Sequence, residues 1–203
     1  MISLIIGSIG LSLFHALIPS HWLPVLAIGR RENWSLSQAT YVTFVAGLAH
    51  ALSTVVLGII IGLVGMTLAD HVKYFTSFIT PSILILLGLF YIIQHHCHKH
   101  FHLHSDSSVS SRKVIIGLAI AMFFSPCLEV EAYFLIAGTM GLWLIFLIGV
   151  VYTVVSVAGI IIWVRLSYEG LVKLNWHSLE HNSGIITGAI LIITGIISFL
   201  FNR

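Results

Sequence analysis

The chain has 203 residues, of which 58% are hydrophobic and only 8% are charged. Soluble domains carry roughly a quarter charged residues, so this composition excludes an ordinary soluble globular protein. The formal net charge is +2 at pH 7, and no basic patch with interleaved aromatic residues occurs, which excludes a typical nucleic-acid-binding protein. We therefore expect an integral membrane protein in contact with the lipid bilayer.

Six apolar segments have about the 20 residues that a helix needs to cross the hydrocarbon core. The first segment has neither a basic region before it nor a small-residue cleavage pattern, which predicts a retained span and not a signal peptide. The expected fold is an all-α polytopic membrane protein with six transmembrane helices. The segments are 2–28, 39–64, 75–93, 114–137, 142–164 and 183–201.

The distribution of basic residues predicts the orientation of these segments. With the N-terminus outside, seven of the 9 Lys and Arg residues fall in cytoplasmic connections, as the positive-inside rule requires. Both termini are then outside, and the connection between the third and fourth segments is cytoplasmic. The expected location is the bacterial inner (plasma) membrane. The seven residues are Arg30, Arg31, Lys99, Arg112, Lys113, Arg165 and Lys173.

Two histidines and two prolines interrupt the first apolar segment. On an unbroken helix His15 and His21 would lie about 120° apart around the axis and about 9 Å apart along it, too far to share an ion. Pro19 lacks a backbone donor and Pro24 follows closely, so we expect the helix to be kinked or unwound between the histidines. Unwinding would let both rings face one metal ion. The alternative is a pair of packed histidines beside a structural kink.

A second polar interruption, at residues 125–131, reads Ser-Pro-Cys-Leu-Glu-Val-Glu. A carboxylate inside a membrane is costly unless it is paired, coordinated or protonated, so Glu129 and Glu131 are candidate ligands. Cys127 is either a soft ligand or a packing residue, and His50 in the second segment is a third candidate imidazole. Such a set suits a late first-row divalent ion and would bind it in competition with protons. The predicted metal residues are His15, His21, His50, Glu129, Glu131 and Cys127.

The connection between the third and fourth segments is rich in histidine and continues into a Ser-rich linker. Imidazole and thiol groups bind Zn, Ni, Co and Cu, so this connection is a candidate for accessory metal capture. The alternative is a solvated polar hinge. The residues concerned are His95, His96, Cys97, His98, His100, His102 and His104.

The two halves of the chain resemble each other weakly. An offset of 110 residues pairs His21 with Glu131, and residues 47–54 stand beside residues 149–156. This pattern predicts a 3+3 inverted repeat, in which a binding site lies where the halves meet. The expected organisation is a first half (1–94), the His-rich connection and linker (95–113) and a second half (114–203).

One further motif has the H-x-x-E-H spacing of certain zinc peptidases, formed by His177, Glu180 and His181. It lies in a short connection before the last segment, with no soluble catalytic domain around it. An accessory metal contact or a solvated helix start is the preferred interpretation.

The segment His15-Ala16-Leu17-Ile18-Pro19-Ser20-His21 resembles the H-A-x-x-x-D-H signature of nickel/cobalt transporters, a group that includes UreH-like and NicO-type proteins of the LysE transporter superfamily. His50 resembles the histidine of a G-H-S-containing helix in the same group. Ser20 and Ile18 stand where these relatives often carry acids, and Glu129 and Glu131 would have to supply that charge. Ser125-Pro126-Cys127 is similar to a motif of the CcdA/DsbD electron-transfer proteins, but the first half has no matching cysteine.

The favoured function is transport of a divalent transition-metal ion (Ni, Co or Zn) as substrate, with an inclination to proton-coupled efflux. No organic cofactor is expected, and the chain is not expected to be an enzyme. Two alternatives remain open: a proton-coupled exporter of a small organic solute or amino acid, and a metal-dependent intramembrane enzyme. A homodimer is compatible with the sequence.

Overall fold

The structure is a bundle of apolar helices, two of which end at breaks beside polar residues. The computed structural model describes residues 1–67, 80–97, 111–170 and 176–201, among which there is no β-strand. The all-helical class predicted from the sequence is thereby confirmed for these residues. The helices of the described ranges are α1 (Ile2–Leu17), α2 (Pro19–Arg31), α3 (Leu36–Thr67), α4 (Thr80–Cys97), α5 (Ser111–Phe123), α6 (Glu131–Met140), α7 (Leu142–Tyr168) and α8 (Trp176–Phe201).

The first predicted segment, 2–28, is two helices that meet at Ile18. The backbone of Ile18 is extended (φ −66°, ψ 117°), and Pro19 is the first residue of α2. The ring of a proline crowds the residue before it and disfavours the helical conformation there, so the break falls at this point. The interruption that the proline predicts is thus present, and α2 continues through Pro24 to Arg31.

The fourth predicted segment, 114–137, is also interrupted. Helix α5 ends at Phe123, α6 begins at Glu131, and residues 124–130 between them are not α-helical. Pro126 cannot donate a backbone hydrogen bond, and the next amide, Cys127 N, donates instead to the side chain of Thr54 at 3.1 Å. A long-range hydrogen bond therefore replaces one that a continuous helix would have made.

Three segments of the described residues are long and apolar enough to cross a membrane. They are Leu4–Arg31, which contains the break at Ile18, Leu36–Thr67 and Leu142–Tyr168, and Ile185–Ile197 is a shorter apolar helix. On α3 the side chains of Leu52, Val56 and Ile60, four residues apart, are 55%, 48% and 54% exposed, as on a lipid-facing stripe. These features support a membrane protein, while six spans in a 3+3 arrangement stay a prediction.

Helices α3 and α7 form the centre of the bundle. Helix α3 packs against α5, α6 and α7, while α7 also packs against α1 and α2. The fully buried side chains of Phe134, Ile148 and Tyr152 belong to one apolar core cluster between these helices. This core fixes the relative positions of the two helix breaks.

Glycines allow two pairs of helices to approach at backbone distance. A Cβ atom added to Gly138 of α6 would collide with the backbone oxygen of Gly62 on α3. In the pair α4 and α8, a Cβ added to Gly88 of α4 would lie 2.6 Å from the backbone oxygen of Gly188 on α8, and one added to Gly188 would lie 2.5 Å from that of Gly88. Small residues permit this close packing between membrane helices.

The basic residues that the structure describes gather at one end of the bundle. Arg30 at the end of α2 donates a hydrogen bond from Nη2 to the carbonyl oxygen of Ser167 near the end of α7, at 2.8 Å. The start of α5 lies at the same end, because Val114 packs in one cluster with Ile28 and Trp34. The Lys and Arg residues in the described ranges of the chain are Arg30, Arg31, Arg112, Lys113 and Arg165.

Candidate metal centre

The break at Ile18 brings two histidines together. His15 lies in the last turn of α1 and His21 in the first turn of α2, and the centroids of their rings are 4.3 Å apart. The amide of Ile18 donates to the carbonyl oxygen of His15 at 3.1 Å, so the chain turns without leaving this amide unsatisfied. The two rings can therefore face a common centre, which an unbroken helix would not allow.

Two further side chains complete a four-residue cluster, hereafter the His/Cys cluster: His15, His21, His50 and Cys127. One possible ligand atom of each residue lies within 4.8 Å of those of all the others. His50 Nε2 is 3.3 Å from His15 Nε2, and Cys127 Sγ is 3.5 Å from His21 Nε2. Four nitrogen and sulfur atoms at this spacing are a donor set that suits a tetrahedral transition-metal ion.

The cluster is shielded from the surroundings. The residues His15 and His50 are each 1% exposed and His21 is 7% exposed, whereas Cys127 is partly buried. Electrostatic and coordinate interactions are stronger in such a site than in water.

The hydrogen-bond partners of two histidines determine which ring nitrogen faces the cluster. The Met122 carbonyl oxygen, 3.2 Å from His50 Nδ1, can only accept, so this nitrogen carries the hydrogen of the neutral ring. Oε2 of Glu129 lies 3.4 Å from His15 Nδ1, and an ionised Glu129 carboxylate can only accept, so Nδ1 of His15 then carries the hydrogen. Both Nε2 atoms are then left with lone pairs, which is the state that a metal ion requires.

The break between α5 and α6 positions Cys127. Its backbone amide donates to Thr54 Oγ1 at 3.1 Å, and the Thr54 hydroxyl in turn donates to the carbonyl oxygen of His50 at 3.1 Å. Thr54 therefore connects the non-helical segment that carries the thiol to the turn of α3 that carries an imidazole.

The two predicted glutamate ligands have different surroundings. Glu129, 8% exposed, contacts the His/Cys cluster through His15. Glu131, 6% exposed, is the first residue of α6, and among the described residues neither of its carboxylate oxygens has a hydrogen-bond partner. It is not a member of the four-residue cluster. A helix N-terminus is a favourable place for a carboxylate in its ionised form.

Several predicted metal residues lie where the structure describes no side chains. His95, His96 and Cys97 are in the last turn of α4, and His177, Glu180 and His181 are in the first turns of α8, in each case without a described side chain. The remaining histidines of the accessory capture prediction lie outside the described residues: His98, His100, His102 and His104.

Sequence reasoning did not select two residues that contact the cluster, Tyr152 and Thr54. The Tyr152 hydroxyl is 3.2 Å from His15 Nε2, and its side chain is almost fully buried. The pairing of residues 47–54 with residues 149–156 already sets Tyr152 opposite His50 and Ser156 opposite Thr54. This correspondence between the two halves is the feature of the sequence that could have identified Tyr152 and Thr54.

Comparison of the chain with protein-family models, with curated proteins and with solved structures gives no match. The resemblance to nickel/cobalt transporters rests on the two histidine motifs quoted above.

Proposed function

We propose that the chain is a membrane transporter whose substrate is a divalent transition-metal ion bound at the His/Cys cluster. One observation carries the proposal: His15 Nε2 and His50 Nε2 are 3.3 Å apart, while an acceptor occupies the Nδ1 side of each ring. Two neutral rings arranged in this way both place the lone pair of Nε2 at the cluster. A cation bound there would be coordinated by both nitrogens, which are close enough to be neighbouring ligands of one ion.

The chemistry of the donors supports an ion of the Ni, Co and Zn class. Imidazole nitrogens and a thiolate are borderline and soft ligands, whereas Mg²⁺ and Ca²⁺ prefer oxygen ligands. A thiolate at Cys127 and a carboxylate at Glu129 would together balance the two positive charges of the ion. A neutral assembly is much less costly inside a membrane than an isolated ion.

The position of the cluster supports transport rather than storage. Its ligands come from the break between α1 and α2, from α3, and from the break between α5 and α6. Interrupted helices at the meeting of two similar halves are the usual site of substrate in transporters with inverted repeats. The proposed repeat consists of α1 to α4 and α5 to α8, with an interrupted first span in each half.

Two pairs of residues, each with one member in either half, support this repeat. Gly88 of α4 and Gly188 of α8 approach each other reciprocally, as residues near a two-fold axis between the halves would. The alignment of residues 47–54 with residues 149–156 pairs His50 of α3 with Tyr152 of α7. Both of these residues contact His15 Nε2.

The gathering of Arg30, Arg31, Arg112, Lys113 and Arg165 at one end supports a cytoplasmic assignment for that end. In this orientation the His-rich connection is cytoplasmic and could collect ions for export. We favour proton-coupled efflux across a bacterial inner membrane as the direction.

The proposal is tested with the purified wild-type chain, first for bound Ni, Co and Zn by mass spectrometry and then for ion flux in liposomes. We expect a bound ion, and flux that responds to a pH gradient. The absence of both binding and flux would overturn the proposal. Flux of an amino acid without metal would favour the organic-solute alternative, and metal-dependent hydrolysis would favour the enzyme.

Replacement of Cys127 tests the thiol ligand directly. Cobalt(II) bound to the wild-type chain is expected to show a thiolate-to-metal charge-transfer band in the near ultraviolet. Cys127→Ser should remove this band and weaken zinc binding by roughly tenfold or more, since a hydroxyl is a much poorer ligand for these ions. Cys97→Ser is the matched control and should keep the band. A band that survives Cys127→Ser would contradict the assignment of this thiol.

The two glutamates provide a second matched pair. Glu129→Gln should weaken metal binding by about 10- to 100-fold, because the charge that orients His15 and raises its basicity is lost. Glu131→Gln should lower the affinity by a much smaller factor, since within the described ranges its carboxylate makes no hydrogen bond to a residue of the cluster. Titration of both variants with the same ion measures the difference. An equal loss in Glu131→Gln would make Glu131 a ligand, as the sequence predicts.

A further inference from the structure

The hydroxyl group of Tyr152 is hydrogen-bonded to the ring nitrogen that a bound ion would need as a ligand. It lies 3.2 Å from His15 Nε2, and the tyrosine ring packs in the apolar core of α7 with 1% exposure. His15 Nδ1 faces Glu129 and carries the ring hydrogen. The hydroxyl is therefore the donor in this hydrogen bond, and His15 Nε2 is the acceptor.

A neutral imidazole has one lone pair at its unprotonated nitrogen. The same lone pair cannot accept a hydrogen bond from Tyr152 and coordinate a metal ion, so the two states exclude each other. The free energy of the hydrogen bond must be given up when the ion binds, which lowers the affinity by that amount.

We infer that Tyr152 is a positioning residue whose hydrogen bond to His15 Nε2 competes with the ion for the same lone pair. In the ion-free chain it donates to His15 of α1, and in the ion-bound chain this hydrogen bond is broken. This inference rests on the proposed function, and it adds a direct link between ion binding and the contact of α7 with α1. A competing hydrogen bond of this kind keeps the ion releasable, which a transporter requires and a storage site does not.

Replacement by phenylalanine tests the competition. Tyr152→Phe should bind cobalt about 2- to 10-fold more tightly than the wild-type chain, since a net hydrogen bond of ordinary strength no longer opposes binding. A merely structural role predicts weaker or unchanged binding. The matched control is Tyr133→Phe on α6, whose hydroxyl packs against Gly7 of α1, where an added Cβ would lie 2.7 Å from it, and its affinity should not change. Unchanged or weaker binding by Tyr152→Phe would overturn the inference.

A measurement on the native side chain covers the case in which a variant does not fold. Infrared difference spectra of the wild-type chain with and without cobalt should contain a tyrosine C–O band, because the hydroxyl loses its nitrogen acceptor when the ion binds. Cobalt binding without any tyrosine band would overturn the inference and leave the proposed function intact. A chain that binds no ion would overturn both.

Discussion

His15→Ala is expected to abolish ion flux and to weaken metal binding by roughly 100-fold or more, since even outer partners of a metal ligand are worth about 10- to 100-fold. His15 contacts other residues of the site through both ring nitrogens. Its Nδ1 contacts Glu129, and its Nε2 contacts His50 and Tyr152. Removal of this ring deletes one ligand and also leaves the buried carboxylate of Glu129 without its partner.

The matched control for this variant is His181→Ala, which removes a histidine of the H-x-x-E-H motif in α8. It should keep both binding and flux, and it tests the H-x-x-E-H motif at the same time. Calorimetric titration and liposome flux are measured on both proteins, and the ion-free melting temperature separates lost ligation from lost folding. A His15→Ala protein that is folded and still transports the ion would refute the metal centre. Loss of a hydrolytic activity in His181→Ala alone would favour the enzyme alternative.

Gly138→Ala is expected to destabilise the bundle by about 3 kcal/mol, at the upper end of the range for overpacked cores. The added methyl group would meet the backbone oxygen of Gly62, and backbone atoms in two packed helices cannot move away as a flexible side chain can. Helix α6 begins directly after the segment that carries Cys127 and Glu129. Separation of α6 from α3 would therefore displace these residues, and metal binding should fall together with stability.

Gly117→Ala provides the comparison for this change. Gly117 is inside α5, where an added Cβ meets no atom within 4 Å. The same substitution should raise stability there by about 0.5–1 kcal/mol, because alanine loses less backbone entropy in a helix. Thermal unfolding of both variants in detergent measures the two effects. A Gly138→Ala protein as stable as the wild type would contradict the close contact between α3 and α6.

The chemistry of individual residues made part of the site predictable from the sequence. Proline cannot continue a helix without cost, so Pro19 predicted a break between His15 and His21, and the structure has this break at Ile18. Histidine inside an apolar segment is costly without a partner, which selected His50. Such arguments depend only on a residue and its neighbours along the chain, which the sequence shows directly.

The roles of Cys127, Glu129 and Glu131 could not be distinguished in the same way. All three stand in one polar interruption, and their surroundings depend on contacts with α1 and α3 that are more than 70 residues away along the chain, such as the hydrogen bond between Cys127 and Thr54 (separation 73). The sequence also left Tyr152 among ordinary apolar helix residues, although its hydroxyl contacts His15 at a separation of 137 residues.

By itself, the sequence determined the class of the protein and the kind of chemistry it can carry. Long apolar segments require lipid and helical backbone, and imidazole, thiol and carboxylate groups buried in them require partners. Only the tertiary structure decided which donors converge, which nitrogen of His15 faces the cluster, and that Gly138 permits the packing of α6 on α3. The physical reason is that helix formation and breaking are local, whereas the convergence of ligands is set by close packing between helices far apart in the chain.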